Sequence, residues 1–514
     1  MKNIVVFVLL ILFTSCDDFL EDYSQDLVVP KTVTDLNEVL LGSAYLKSTE
    51  VPSLSSGSFG WWLHLLDDDI NTVVAKQVEP VAGFQEMGTR YWGYFAWQNE
   101  VGRSHDGGSL RGDNDLWDGI YNHINAVNIL LNEVGEIDLR TEQDRLAALR
   151  LRGECYFLRA QFYLVMVNVY ADVYTPEKAA STLGVPLKLT HYVEHDKTKK
   201  AQFERTPVSD VYAQIVKDLQ ASIECFQESP QNKTFYRASE EAASLLLSRV
   251  YLYMQDWKSA WVMAENFLSK KSDLLDLKTI EADISSALMT GDNPEIIFSQ
   301  GSLSLQNSFS GEGGDFCVSR DLLDLYDEGD YRYSIYFERS VRSDSVGLGR
   351  KYKMGTHRSL VSDFYMLRTA EGYLNMAEAC AMLGDAFTAS EYLNRLRRHR
   401  IAGYQDTVYS ETDIVNVVRN ERRKELVLEG HRWFDLRRYA VNQTAPYKKP
   451  IYHVYAVYEE GQNLFQHGEV YRLEVDDPAY TFAIPKSVLE FDTEMPDNIR
   501  IQRKYLEKID YEID

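Results

Sequence analysis

The segment Ser248–Leu268, SRVYLYMQDWKSAWVMAENFL, and its counterpart Ala377–Leu396, AEACAMLGDAFTASEYLNRL, decide how this chain folds. Each reads as a helix, a turn marked by Asp256 or by Gly384-Asp385, and a second helix. Ala260 and Ala389 take the close-packing position of that second helix. A helical hairpin cannot bury its apolar face alone, so it stacks on neighbours, as in tetratricopeptide repeats. The pattern predicts a mostly α fold of tetratricopeptide-like hairpins.

Working outward, Leu151, Cys155, Leu158, Phe162, Val165 and Val169 recur at spacings of four and three, the stripe of an amphipathic helix. Val211, Ile215, Leu219, Ile223 and Phe226 form another stripe, opened by Thr206-Pro207 as a cap and first-turn pair. Further helices are predicted over 116–134 and 35–46. Hairpins are expected around 116–170, 207–268, 365–397 and 411–440, unevenly spaced, so the chain is no simple solenoid. Loop-rich stretches at 50–115, 171–205, 270–360 and 440–514 separate them, and loops that long are usually functional.

The 514 residues, 45% hydrophobic, suffice for a large core. Lys+Arg 54 against Asp+Glu 78 leaves a net charge of −24, which repels phosphate backbones and excludes nucleic acid as a partner. At the N-terminus, Met1-Lys2-Asn3 precedes the apolar run Ile4–Phe13 and then Thr14-Ser15-Cys16. The run is too short to span a bilayer and has the anatomy of a signal peptide, residues 1–15. Thr14-Ser15-Cys16 resembles a lipobox, with Phe13 where leucine is usual, and makes Cys16 the acylated (palmitate-bearing) first residue of the mature chain. At about 0.8 kcal/mol per buried methylene, two or more acyl chains anchor a protein stably. Cys155, Cys225, Cys317 and Cys380 lie far apart with no C-x-x-C pair, and three of them sit in helical patterns that suit small buried hydrophobes. Export would permit a disulfide, but nothing in the spacing indicates one.

Several stretches in order resemble the RagB/SusD family of outer-membrane nutrient-binding lipoproteins. They are Cys16-Asp17-Asp18-Phe19-Leu20-Glu21; Arg152–Ala160, RGECYFLRA, with Cys155 in place of the family's alanine; and Arg237 to Tyr253. The sharpest is Asn420–Arg438, NERRKELVLEGHRWFDLRR, followed by Phe482-Ala483-Ile484-Pro485 and Pro496-Asp497-Asn498. The resemblance covers the mature chain, as an N-terminal region 16–235 and a C-terminal region 236–514 forming one unit. It implies a helical scaffold with ligand loops opposite, a SusC-like TonB-dependent barrel as partner, and an outer-membrane, cell-surface location. Non-catalytic carbohydrate binding is its leading implication, with peptide cargo as the alternative and a surface hydrolase or a purely structural lid behind them.

For the ligand, Tyr91–Glu100, YWGYFAWQNE, is dense in flat rings with polar neighbours. Trp92, Tyr94 and Trp97 are candidate platforms for sugar rings; Gln98, Asn99 and Asp69 are candidate hydrogen-bonding partners. The same aromatics would serve equally as core or barrel-facing residues. A second group, Phe309, Phe316, Tyr326, Tyr331 and Tyr333, lies after the central hairpins.

Other chemistry is weakly signalled. G-x-S-x-G, H-E-x-x-H, Walker A and G-x-G-x-x-G motifs are absent, and no cofactor is expected. His191 and His195 have metal spacing but no evident third ligand. Asp67-Asp68-Asp69 offers oxygens of the kind calcium takes, though such runs are more often solvated or cap helices. Glu421, Glu425 and Glu429 at i, i+4 spacing, with Arg432 beyond, read as a charge-paired helix terminus near Gly430 and not as a catalytic cluster.

Overall fold

The computed structural model describes residues 30–47, 59–74, 86–108, 110, 112–192, 202–231, 234–280, 287–303, 305, 309, 314–340, 345–352, 361–459 and 464–510. Cys16 and the rest of the leader lie outside them, as does His195.

The first helix, α1 (Val33–Val39), opens on a capping box: Thr32 accepts from the Asp35 amide while Asp35 accepts from that of Thr32. It continues as a π turn over Leu40–Ala44 and stops at Tyr45, close to the predicted end. The long helices then follow as α2 (Asp115–Glu136), α3 (Glu142–Tyr170), α4 (Val208–Glu228), α5 (Glu240–Met254) and α6 (Trp257–Lys270). After an excursion of about a hundred residues come α7 (Thr369–Met382), α8 (Ala386–Arg397), α9 (Ile414–Glu425) and α10 (Arg432–Ala440). The fold is mostly α. Each of α2 to α6 packs on the next, and α7 then packs directly against α6, α8 and α9. The stack is thus continuous in space although the sequence leaves it between residues 270 and 369.

The two hairpins that decide the fold share one device. Gln255 and Gly384 both take the left-handed conformation (φ +61° and +83°), and Asp256 and Asp385 then cap α6 and α8 by accepting from the Ser259 and Thr388 amides. Gly384 adopts this backbone freely. Gln255 is held in it by its side chain, which donates to the Val441 carbonyl and accepts from the Gln443 amide. Ala260 and Ala389 are fully buried, as close packing requires. At α4 the reading needs adjustment: Pro207 itself is the N-cap, with no side-chain cap bond.

The segment Asn420–Arg438 is not one helix end. α9 stops at Glu425; Leu428 and Gly430 turn the chain through positive φ before α10 begins at Arg432. A side chain at Gly430 would strike the Phe364 ring. The carboxylates are paired, as expected, but with cations from distant elements and out of water. Glu425 accepts from Arg332 (2.8 Å), Arg368 (2.7 Å) and Arg400 (2.9 Å). Glu429 accepts from Arg368 and pairs with Lys351, and Glu421 accepts from Arg397 and pairs with Arg332. Burial raises the Glu425 pKa, yet the three guanidiniums outweigh it and hold the carboxylate well below its usual range.

Short strands complete the fold. β1 (Ile70–Thr72) pairs antiparallel with β2 (Phe316–Val318). β3 (Ile451–Tyr458) and β4 (Phe465–Leu473) form a ribbon, joined at its edge by β5 (Glu507–Ile509). Asn71 and Thr72 fasten β1 to β3 through the Val454 and Ala456 backbone. Asp68 accepts from Arg432 at 2.7 and 2.8 Å, and Asp69 accepts from Arg423 at 2.6 Å. The run Asp67-Asp68-Asp69 is therefore neither solvated nor a helix cap. Its ligand oxygens lie within 4.8 Å of one another, but protein cations already neutralise Asp68 and Asp69.

Candidate ligand-binding site

Residues 91–100 do not form an open loop of rings. Trp92–Phe95 is a helical turn, so Tyr91, Tyr94 and Phe95 point to one side, into the core, and Trp92 to the other. Gly93 permits the turn, because a Cβ there would meet the Val101 carbonyl oxygen at 2.5 Å.

Three of the five predicted contacts are consequently interior. Tyr94 stacks on Trp62 at 4.5 Å and packs near Phe482. Trp97, at φ +49°, is fully buried, stacks on His453 at 4.2 Å and donates from its indole to the Leu66 carbonyl. Asp69 is committed to Arg423. None of these three offers a free face to a ligand. Gln98 is likewise occupied, clasping the C-terminal segment by donating to the Arg503 carbonyl and accepting from its amide. Phe309 and Phe316 are fully buried, whereas Tyr333 stays 41% exposed. Asn99 is exposed and Trp92 half-buried, and only these two of the five reach the surface.

Around Trp92 the fold assembles residues that are scattered in sequence. Its indole N–H donates to the Tyr471 hydroxyl (3.2 Å), which donates to Glu469 Oε2 (2.7 Å). His105 Nε2 lies 3.0 Å from the same oxygen, and His467 Nε2 lies 3.7 Å from Oε1. The His105 ring meets Trp92 edge to face at 5.5 Å and packs on Tyr455 at 4.4 Å. Partial burial pushes the Glu469 pKa up, but the hydrogen bonds from His105 and Tyr471 outweigh this and lower it, so the carboxylate is ionised at neutral pH. Its signal in the sequence is the alternation His467, Glu469, Tyr471, which puts all three on one face of β4. The arrangement sets the half-buried Trp92, His105 and His467 rings over a buried, ionised Glu469 that holds them in place.

Such a constellation suits a ligand with both apolar faces and hydroxyl groups. Residues 83–252 match a SusD-like family described as starch-binding associating with outer membrane, and residues 350–499 match the SusD family. SusD-like protein P2 of Formosa agariphila is 24% identical over 500 residues, covering 85% of this chain and 90% of that one. A SusD-like protein of Bacteroides ovatus is 23% identical over 377 residues, 62% of this chain and 64% of that one. Among solved structures, a SusD superfamily protein from Bacteroides thetaiotaomicron superposes with TM-score 0.68 at 22% identity, over 91% of this chain and 100% of the other. Surface glycan-binding protein A from Bacteroides fluxus gives 0.63 at 18% identity, over 92% and 99%. The helical stack, its sharpest motif at Asn420–Arg438 and both family matches agree: the chain belongs to the SusD/RagB family.

Proposed function

We propose that this protein is a non-catalytic, cell-surface glycan-binding lipoprotein that hands its ligand to a SusC-like outer-membrane transporter. The observation that carries the binding site is the half-buried Trp92, tied through Tyr471 to the ionised Glu469. A sugar ring presents an apolar face to the half-buried Trp92 ring and hydroxyls to polar groups around it, and Asn99 is an exposed amide of the same segment. Tyr94, Trp97 and Asp69 serve as the framework beneath. The names of the relatives support the ligand class, since one is a surface glycan-binding protein and another a SusD-like carbohydrate binding protein of Bacteroides vulgatus. Acylation of Cys16 anchors the chain. Among the described residues no helix is long and apolar enough to cross a membrane.

The test is isothermal titration of the full-length protein in detergent against neutral oligosaccharides and oligopeptides, repeated with Trp92→Ala. Saccharide binding weakened at least tenfold by the substitution, with the helical circular-dichroism signal unchanged, supports the reading. Binding of peptides alone moves the cargo to the peptide class, and release of shorter products from a polysaccharide establishes a hydrolase instead. Mass spectrometry of the N-terminal peptide tests the lipid on Cys16, and co-purification of a barrel from membranes tests the partner.

A further inference from the structure

Beside the end of the β3–β4 ribbon where Ile451 pairs with Leu473 lies an open cleft of about 690 Å³. It is walled by the segment after α3, the end of α10, and the chain on either side of the ribbon. The volume falls within the range of small-molecule sites, roughly 300–1,000 Å³.

Its lining combines one free ring with free polar groups. Tyr447 is 37% exposed and stacks on no other ring among the described residues, while its amide donates to the Tyr439 carbonyl and fixes its place. Asp172 accepts from the Thr481 hydroxyl through one oxygen. Asp497 accepts from the Ile484 and Asn498 amides, also through one oxygen. Asp172, Asp497 and Lys178 are exposed, and the second oxygen of each carboxylate and the Lys178 ammonium face solvent with no protein partner among the described residues. The remaining charges are spoken for. Lys448 pairs with Asp476 and Asp477 with Arg503. Arg437 donates to the Asn168 and Ala171 carbonyls, where it caps the C-terminus of α3.

We propose that this cleft is a second binding site, for a short neutral oligosaccharide, separate from the Trp92 face. Acceptors at Asp172 and Asp497 and a donor at Lys178 match the hydroxyl rim of a sugar, with the Tyr447 ring as the flat surface. An anionic ligand would meet two carboxylates, and a cationic one would meet Lys178 and Arg437. The inference rests on the saccharide reading above but places a different contact.

The test titrates full-length protein in detergent with malto-, cello-, manno-, xylo- and laminari-hexasaccharides and reads stoichiometry. Two sites are expected. Tyr447→Ala with Asp172→Asn weakens one of them about tenfold and leaves the other, and Trp92→Ala does the converse. A single site lost in Trp92→Ala and unchanged in the cleft variant overturns this inference and leaves the proposed function standing. No binding of any hexasaccharide overturns both, and binding of a basic peptide in the cleft overturns the saccharide assignment.

Discussion

Replacing Glu425 by glutamine tests whether the buried charge network is structural. The carboxylate is fully buried and accepts from three guanidiniums, those of Arg332, Arg368 and Arg400, each also buried. Around it the connected cations are Arg332, Lys351, Arg368, Arg397, Arg400 and Lys424, and the buried carboxylates are Glu295, Asp330, Glu421, Glu425 and Glu429. Glutamine keeps the shape but takes away one of five negative charges facing six positive ones. It also turns an acceptor of several bonds into an amide whose N–H groups point at guanidiniums. Breaking a buried pair by removing one partner costs about 3–5 kcal/mol. The assay is the urea-unfolding midpoint of Glu425→Gln against wild type, with Glu391→Gln as the control. Glu391 pairs with Arg395 in the open, both about half exposed, and such pairs contribute about 0–1 kcal/mol. A Glu425→Gln loss below about 1 kcal/mol, or one no larger than that of the control, refutes the reasoning.

The same network sets a pH dependence. Glu421, Glu425 and Glu429 have folded-state pKa values below their ordinary ones because the attraction of neighbouring cations exceeds the burial penalty. Their stabilisation is therefore present above about pH 4, the unfolded carboxylate range, and is lost as pH falls towards the folded values, seen as a falling melting temperature in acid. Gly430→Ala is expected to cost more than about 2 kcal/mol, since the residue sits at φ +74° and its new methyl would overlap Phe364; thermal melts check it. Ala389→Leu should cost about 1–3 kcal/mol by overpacking the α7–α8 contact, whereas Phe387→Ala, at a side chain 66% exposed, should leave the melt within about 0.5 kcal/mol.

The helices were legible because their apolar stripes follow the 3.6-residue period irrespective of partners, as the Leu151–Val169 stripe within α3 illustrates. The site was less so. Trp92, Tyr94 and Trp97 look alike as letters, and only the helical turn at Trp92–Phe95 and the positive φ of Trp97 decide which ring faces water. Asp67–Asp69 looked solvated because their cations, Arg423 and Arg432, lie some 360 residues away. Glu469 and His105 meet for the same reason only in three dimensions, although the alternation at 467, 469 and 471 was there to be read.

That long reach also bears on how the molecule is made. Asp68 is separated from Arg432 by 364 positions, and the backbone of Val454 joins Thr72 across 382. Closing loops of that size must precede the reward from the contacts they allow. A chain emerging from its N-terminus can assemble α2 to α6 from neighbouring segments, but its aspartates find their counter-charges only after most of the polypeptide has arrived. Maturation should therefore be late and concerted: a nascent chain halted before residue 432 would remain protease-sensitive over 59–74 while its early helices were already protected.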